Sequence, residues 1–156
     1  MRIGIDIQTT LGQKTGFGFY VESLVENLKK IDHKNQYSLF KPDSQKDLST
    51  PQRLVWDQFQ IPQKARQAKV DILHQPCFSA PIFYSGKVIV TIHDIIAILY
   101  GKDIPFFSGM FFSRIMPFSY RRADKIITIS EHTKKDITKY LHIPPEKIKV
   151  IYSAAD

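Results

Sequence analysis

Two short polar segments of the sequence contain residue types that can take part in catalysis. In the first, His93 and Asp94 directly follow the apolar run Lys87–Ile92. A histidine at the end of a strand can act as a general base, or hydrogen-bond a substrate hydroxyl, near neutral pH. A histidine whose ring is satisfied by a neighbouring loop would give the same pattern. His93 and Asp94 are therefore catalytic candidates, with a structural histidine as the alternative.

The second segment is a glycine-rich stretch, residues 12–18, between the first predicted strand and the first predicted helix. Backbone N–H groups and the positive end of a helix dipole can face an anion at such a place. It is not a Walker motif, because no Gly-Lys-Ser/Thr follows, and not the dinucleotide fingerprint, because Val21 occupies the third glycine position. The alternative is a tight turn that needs glycine. The candidate phosphate loop consists of Thr15, Gly16, Phe17 and Gly18.

Other catalytic and metal-binding patterns are absent from the sequence. There is no Asp-x-Asp motif, no Gly-x-Ser-x-Gly elbow, and Cys77, the only cysteine, has no activating partner nearby in sequence. We therefore expect no metal, no other cofactor and no covalent intermediate. A single cysteine excludes an internal disulfide, and no signal segment or apolar stretch of about 20 residues is present, so the expected location is the cytoplasm.

Alternating strands and helices are predicted to position these residues. Strand-like apolar runs occur at residues 2–7, 37–40, 70–74, 87–92, 125–129 and 149–152. Helical patterns occur at residues 17–31, 51–68, 106–122 and 130–141, and Pro62 is expected to divide the second of them into two short pieces. Several strands are apolar on both faces. The pattern predicts a single α/β domain with a Rossmann-like parallel sheet and helices on both faces.

In an open sheet of this kind, ligands bind beyond the carboxyl ends of the strands, where the strand order reverses. Gln75 follows the third predicted strand, and Ser130 follows the fifth. Both are therefore candidate substrate-binding residues. Ser130 also suits the N-cap of the next helix, since its hydroxyl can accept from a free backbone N–H.

The formal net charge of +7 indicates an anionic partner, such as a sugar phosphate, an acidic lipid or a nucleic acid. The basic residues are scattered, and no nucleic-acid-binding motif is present, so nucleic acid is not an expected partner. The segment 105–122 is rich in Phe and Met beside arginines. This pattern predicts peripheral contact with the inner face of a membrane, with packing on the sheet or against a partner subunit as the alternative.

A resemblance to a known family extends over nearly the whole chain. It is carried, in this order, by MRIGID, TGFGFYVESLVENL, LVWDQFQIPQKA, VDILHQP, VIVTIHDI, FSYRRADKIITISEHTKKDI and PPEKIKVIYSAAD. Together these segments resemble the N-terminal domain of glycosyltransferase family 4. The resemblance implies two facing Rossmann-like domains of the GT-B type, a reaction in the cleft between them with retention of configuration, and no essential metal.

The resemblance also assigns roles to single residues. Gly16 and Gly18 match the family's glycine loop, whose backbone N–H groups lie near the donor diphosphate. His93 matches a histidine that lies in the reaction cleft beside donor and acceptor. Asp94 is then expected to orient the loop or a substrate hydroxyl. The family's usual Asn-Gly after the last strand is replaced by Ser153-Ala154, which weakens any donor contact there.

The family's second domain, which binds most of the nucleotide and carries a characteristic pair of glutamates, has no counterpart in this sequence. No two glutamates of this chain have the spacing of that pair. We therefore predict that residues 1–156 form an acceptor-side domain. With a donor-binding C-terminal domain or subunit, it would transfer sugar from a nucleotide-sugar donor to a glycan or lipid-linked acceptor. The alternative is a non-catalytic binding or scaffolding module of the same fold.

Overall fold

A computed structural model describes residues 1–44, 46–100 and 109–154. Its centre is a six-stranded parallel sheet with the strand order β2-β1-β3-β4-β5-β6. Because β1 lies between β2 and β3, the strand order reverses between β1 and β3. The strands are β1 (Arg2–Asp6), β2 (Gln36–Phe40), β3 (Ile72–Gln75), β4 (Lys87–Ile92), β5 (Lys125–Thr128) and β6 (Ile148–Val150).

Helices connect the strands and confirm the predicted Rossmann-like α/β fold. The α-helices are α1 (Gly16–Ile31), α2 (Thr50–Val55), α3 (Ile61–Gln67), α4 (Ile96–Leu99), α5 (Met116–Arg122) and α6 (Glu131–Leu141). Two π-helical turns, Trp56–Gln60 and Phe111–Ile115, precede α3 and α5, and 3₁₀ turns occur at Gln8–Thr10 and Pro145–Lys147. None of the helices in the described ranges is long and apolar enough to cross a membrane.

The helices cover both faces of the sheet, as predicted. Successive residues of a strand point to opposite faces. Asp6 of β1 accepts a hydrogen bond of 3.1 Å from the Trp56 indole, so the turn between α2 and α3 lies on the face of Asp6. Tyr20 of α1 hydrogen-bonds to Thr91 of β4, and the strand register puts Thr91 on the opposite face.

The hydrophobic core lies along the central strands. Leu73 of β3, Val90 of β4 and Ile126 of β5 have no exposed surface, and they belong to one cluster with Trp56 and Tyr120. Complete burial of a side chain such as leucine stabilises a fold by about 1.5–3 kcal/mol. The apolar runs that predicted buried strands thus contribute residues to the core together with the helices.

The segment around Pro62 contains two short α-helices, as predicted, but a π-helical turn separates them and not a break at the proline. The helical conformation continues from α2 through the π-helical turn into α3. Pro62 lies in the first turn of α3, where the N–H that it lacks needs no partner within that helix. Immediately before it, the backbone N–H of Ile61 donates to the carbonyl of Trp56, the wider spacing of a π turn. The proline is thus accommodated rather than helix-breaking.

Other boundaries differ by smaller amounts. The last strand begins at Ile148, which pairs with Ile126, and not at Lys149 as predicted. The short helix α4 was not predicted, because its four residues, all apolar or alanine, show no helical periodicity. The predicted helix at 106–122 lies partly outside the described residues, and its described part is helical through Phe111–Ile115 and α5.

Candidate functional site

The first turn of α1 and two loops meet at the carboxyl end of the sheet, next to the reversal of strand order. Phe17 follows β1, Phe78 follows β3 and His93 follows β4. The ring centroids of Phe17 and His93 are 4.9 Å apart, and those of Phe17 and Phe78 are 5.9 Å apart. Since ligands of open α/β sheets bind at this position, the cluster marks the candidate site. The structure thus brings together the glycine loop and the predicted catalytic histidine.

His93 is held in one orientation by its neighbours. Its ring meets the ring of Tyr20 edge-on at 4.6 Å, and its Nε2 is 3.0 Å from the carbonyl oxygen of Pro76. Because a carbonyl oxygen only accepts, Nε2 carries the proton and Nδ1 remains an acceptor. Burial lowers the pKa of His93, although the Pro76 carbonyl and Asp94 act in the opposite direction. The imidazole is therefore neutral near pH 7 and able to accept a proton.

Two polar side chains lie next to His93, that of Asp94 in the sequence and that of Cys77 in space. Asp94 is exposed, and its Oδ1 accepts a hydrogen bond of 2.9 Å from the backbone N–H of Ile96 at the start of α4. It thus fixes the loop after β4. The Cys77 sulfur lies 3.7 Å from Nε2 of His93, and burial raises the pKa of this thiol to about 12. Cys77 stays protonated at neutral pH, so it lacks the thiolate that a nucleophile requires.

The glycine loop has an open part and a packed part. Thr15 is the N-cap residue of α1, and Thr15, Gly16 and Phe17 are exposed. A Cβ atom added to Gly16 would meet no atom within 4 Å, whereas one added to Gly18 would lie 2.5 Å from the carbonyl oxygen of Thr9. Gly18 is therefore required for the close approach of α1 to the preceding turn. The backbone at Gly16 is open to a ligand.

The two predicted substrate-binding residues, Gln75 and Ser130, are not part of the aromatic contacts around His93. Gln75 is completely buried, and neither atom of its amide group has a hydrogen-bond partner in the described part of the chain. Ser130 caps α6, where its Oγ accepts a hydrogen bond of 3.0 Å from the backbone N–H of Thr133. The Thr133 hydroxyl in turn donates to the carbonyl of His93 at 3.3 Å. Ser130 is thus connected to His93, and substrate contact by either residue stays a prediction.

A buried polar network beneath the site was missed by the sequence analysis. Asp57 accepts hydrogen bonds from the Ser79 hydroxyl at 2.6 Å and from the Gln8 amide at 3.0 Å. The same amide donates to Asp6 at 2.8 Å, and the Gln58 amide donates to the Ser79 hydroxyl at 3.2 Å. The network ties the loop after β3 to the π-helical turn and to β1. The only sequence signal was the polar pair Asp57-Gln58 between the aromatic residues Trp56 and Phe59.

Burial controls the charge of this network. Burial and, to a smaller extent, the nearby Asp6 carboxyl raise the pKa of Asp57 to about 8, against the effects of hydrogen bonds from Ser79 and Gln8 and of the Arg53 charge. Burial also raises the pKa of Asp6 to about 6, against hydrogen bonds from Gln8 and Trp56. At pH 7 Asp57 is therefore mainly protonated. The network thus avoids having two neighbouring buried negative charges on Asp6 and Asp57.

Arg53 is a further residue that the sequence analysis did not select. It lies on α2, and the central carbon of its guanidinium group is 3.6 Å from the centroid of the Phe78 ring. Phe78 has a positive φ of 57°, which is uncommon for a residue with a bulky side chain. Nothing in the local sequence indicates either feature, because both depend on how α2 packs over the loop after β3.

Fold and geometry together define an open α/β domain with a candidate ligand site at the strand reversal, where a glycine loop adjoins a neutral histidine. Among the described residues, no group of three His, Cys, Asp or Glu side chains is arranged to hold a metal ion. The sequence model of Glycosyltransferase Family 4 matches residues 16–156. The chain therefore belongs to glycosyltransferase family 4. No curated protein matches it.

Proposed function

We propose that this chain is the acceptor-side half of a retaining GT-B glycosyltransferase that transfers a sugar from a nucleotide-sugar donor to a glycan or lipid-linked acceptor. Membership of the family supports glycosyl transfer in general. The observation that carries the finer proposal is the contact between Phe17 and His93, whose ring centroids are 4.9 Å apart. It joins a candidate diphosphate loop to a neutral imidazole at the place where such sheets bind ligands.

In this proposal the backbone of residues 15–18 faces the donor diphosphate. The first N–H groups of a helix have no partner within the helix, and the helix dipole is positive at that end. These groups would stabilise the negative charge that develops on the leaving diphosphate. The open space at Gly16 allows such a close approach of the ligand.

His93 would act through Nδ1, which is the acceptor nitrogen of its neutral ring. It would accept a hydrogen bond or a proton from a reacting hydroxyl, while Pro76 holds the other ring nitrogen. Asp94 would maintain the loop, and Ser130 would support the His93 backbone through Thr133. The Gln75 amide is completely buried and has no hydrogen-bond partner in the described part of the chain, and its contact with a substrate remains a proposal.

The opposite wall of the reaction cleft is proposed to come from a donor-binding C-terminal domain or subunit. Holding donor and acceptor in one water-poor geometry can contribute about 7–11 kcal/mol to lowering a reaction barrier. A single open face does not provide this geometry. We therefore expect weak nucleotide binding by the 156-residue chain alone, with a Kd in the millimolar range (about −4 kcal/mol), and no measurable transfer.

We propose a cytoplasmic location, with membrane contact through the segment 105–122. Residues 105–108 lie outside the described part of the chain. In the remainder, Met110 and Phe118 are exposed, which supports contact with a surface, whereas Phe111 and Met116 are buried in the core. Only part of the aromatic segment is therefore available for a membrane.

Transfer of an isotope-labelled sugar tests the proposed function. The chain is mixed with donor-binding domains of family members, labelled nucleotide sugars, and acceptors extracted from the cell that makes the protein. We expect multiple turnovers in the mixture and none with either domain alone. Binding of an acceptor glycan without transfer in any mixture would instead favour the non-catalytic scaffolding module.

A further inference from the structure

Arg53 bridges two loops at the edge of the sheet where ligands bind. Its guanidinium group lies on the Phe78 ring, in the loop after β3, at 3.6 Å. Its Nη2 donates a long hydrogen bond of 3.3 Å to the carbonyl of Leu48, in the loop after β2. The side chain is thus anchored by stacking and one weak backbone contact, beside the reversal of strand order.

The charge of Arg53 has no close acidic partner in the part of the chain that the structure describes. The ion pairs within 4.0 Å there join other residues, namely Lys14 with Glu22 and His132 with Asp136. The Nε atom of Arg53 is buried and makes no hydrogen bond to the described residues. The Nη1 group makes no hydrogen bond to the described residues either, so its two N–H donors remain available to a ligand.

The acidic residues that act on Arg53 from a longer distance do not neutralise it. They are Asp57, Asp47 and Asp6. Asp57 is occupied by hydrogen bonds with Ser79 and Gln8, and burial raises its pKa to about 8, so it is mainly protonated at pH 7. Asp6 is bound by Gln8, and Asp47 is exposed to water. Asp6, which is mainly ionised at pH 7, and Asp47 therefore compensate the charge of the guanidinium group only in part and without an ion pair within 4.0 Å.

The aromatic rings separate Arg53 from the proposed diphosphate loop. The Phe78 ring receives the guanidinium group at 3.6 Å and meets the Phe17 ring at 5.9 Å. The positive φ of Phe78, an unfavourable conformation that is typical of functional sites, brings its ring into both contacts. These two rings connect Arg53 with residues 16–18, which form the proposed donor loop. An anion bound at Arg53 would therefore lie beside this loop and not at its backbone N–H groups.

We propose that Arg53 binds a phosphate group of the acceptor, so that the enzyme takes a phosphorylated or phosphate-linked acceptor. A stacked guanidinium group has the planar donor fork that binds phosphate through two parallel hydrogen bonds. The formal net charge of +7 favours the approach of such a ligand. That the ligand is an acceptor rests on the proposed function, whereas the anion site itself does not.

Titration of the 156-residue chain with glucose 1-phosphate, followed by NMR of the Arg53 Nε–H signal, tests the proposal. Arg53→Gln should weaken binding about tenfold or more, because hydrogen bonds between charged groups are lost. Arg53→Lys keeps the charge without the planar fork and should lose less. Arg66→Gln is the matched control, since Arg66 also lies over a ring, that of Tyr84 at 5.7 Å, but on α3.

Uridine diphosphate serves as the second ligand and separates the two sources of phosphate. Weaker binding of glucose 1-phosphate with unchanged binding of uridine diphosphate supports an acceptor site at Arg53. An equal loss for both ligands overturns the acceptor assignment in favour of the donor diphosphate. The anion site is overturned by any of three results. They are unchanged binding in a folded Arg53 variant, an equal loss of binding in Arg66→Gln, and no binding by the unsubstituted chain. Because no sugar transfer is measured, failure here is distinct from failure of the proposed function.

Discussion

Separate replacement of Gly16 and Gly18 by alanine should distinguish packing from ligand access in the glycine loop. The Gly18 Cβ would lie 2.5 Å from the carbonyl oxygen of Thr9, a backbone atom that cannot rotate away. The Gly16 Cβ would meet nothing within 4 Å. Both glycines belong to the first turn of α1, so the two variants differ in their surroundings and not in their secondary structure.

The expected loss of stability follows from these distances. Inserting one methyl group into a packed site typically costs about 1–3 kcal/mol, because the backbone must shift. Gly18→Ala should lower the free energy of unfolding by about that amount, and the Tm by roughly 2–10 °C for a domain of this size. Gly16→Ala should leave the free energy of unfolding within about 0.5 kcal/mol of the original value, or raise it by up to about 1 kcal/mol because alanine restricts the unfolded chain.

Urea denaturation followed by circular dichroism measures both free energies. Equal stabilities of the two alanine variants would refute the close approach of α1 to Thr9. A larger side chain then tests function, since Gly16→Val should leave the fold intact but obstruct the ligand. If Gly16→Val keeps the donor affinity and the transfer rate in the assembled enzyme, the loop is only a turn.

Three further predictions concern charge, membrane contact and the isolated chain. Burial raises the pKa of Asp57 to about 8 in the folded protein, whereas the pKa of an aspartate in the unfolded chain is near 4. The stability that the protonated Asp57 contributes is therefore complete below pH 4 and is lost as the pH rises through 8. The side chain of Asp57→Asn stays neutral, so the free energy of unfolding of this variant, measured with urea, should rise relative to that of the unsubstituted chain between pH 5 and pH 8. If the difference between the two free energies is the same at both pH values, Asp57 is not a buried neutral carboxyl group. The chain should sediment with anionic liposomes at low salt through Met110, Phe118 and their neighbours, and absence of sedimentation would exclude the membrane contact. Calorimetry of the chain alone with nucleotide sugars should show weak binding and no turnover, whereas micromolar affinity with multiple turnovers would contradict the need for a donor-binding domain.

The position of the candidate site was predictable from the sequence, because it depends on buried strands. The apolar runs of β3, β4 and β5 gave the correct strands, and the residue after β4, His93, was found at the carboxyl end of the sheet as expected. Its contact with Phe17 was not predictable in detail. Ring contacts depend on how α1 packs across the sheet, and Tyr20 showed only the spacing of a core-facing residue.

The buried polar network below the site and the backbone conformation of Phe78 could not be predicted from the sequence. Asp57 and Ser79 are 22 residues apart, and Ser79 lies in a turn-rich segment without periodicity. The left-handed conformation of Phe78 runs against the local preference of a phenylalanine and is imposed by its tertiary contacts. The two short helices around Pro62 were predicted, but nothing in the sequence indicated that a π-helical turn would join them.

The most direct measurement of the central proposal is the rate of labelled sugar transfer by the assembled enzyme after His93→Ala. His132→Ala is the matched control, because the side chain of His132 is 87% exposed and lies on α6 outside the aromatic cluster. Loss of a positioned acid–base group should lower the rate about 100-fold or more, while the circular dichroism spectrum and the control rate stay unchanged. A His93→Ala rate within a few-fold of the unsubstituted enzyme would contradict the assignment of His93 to the reaction.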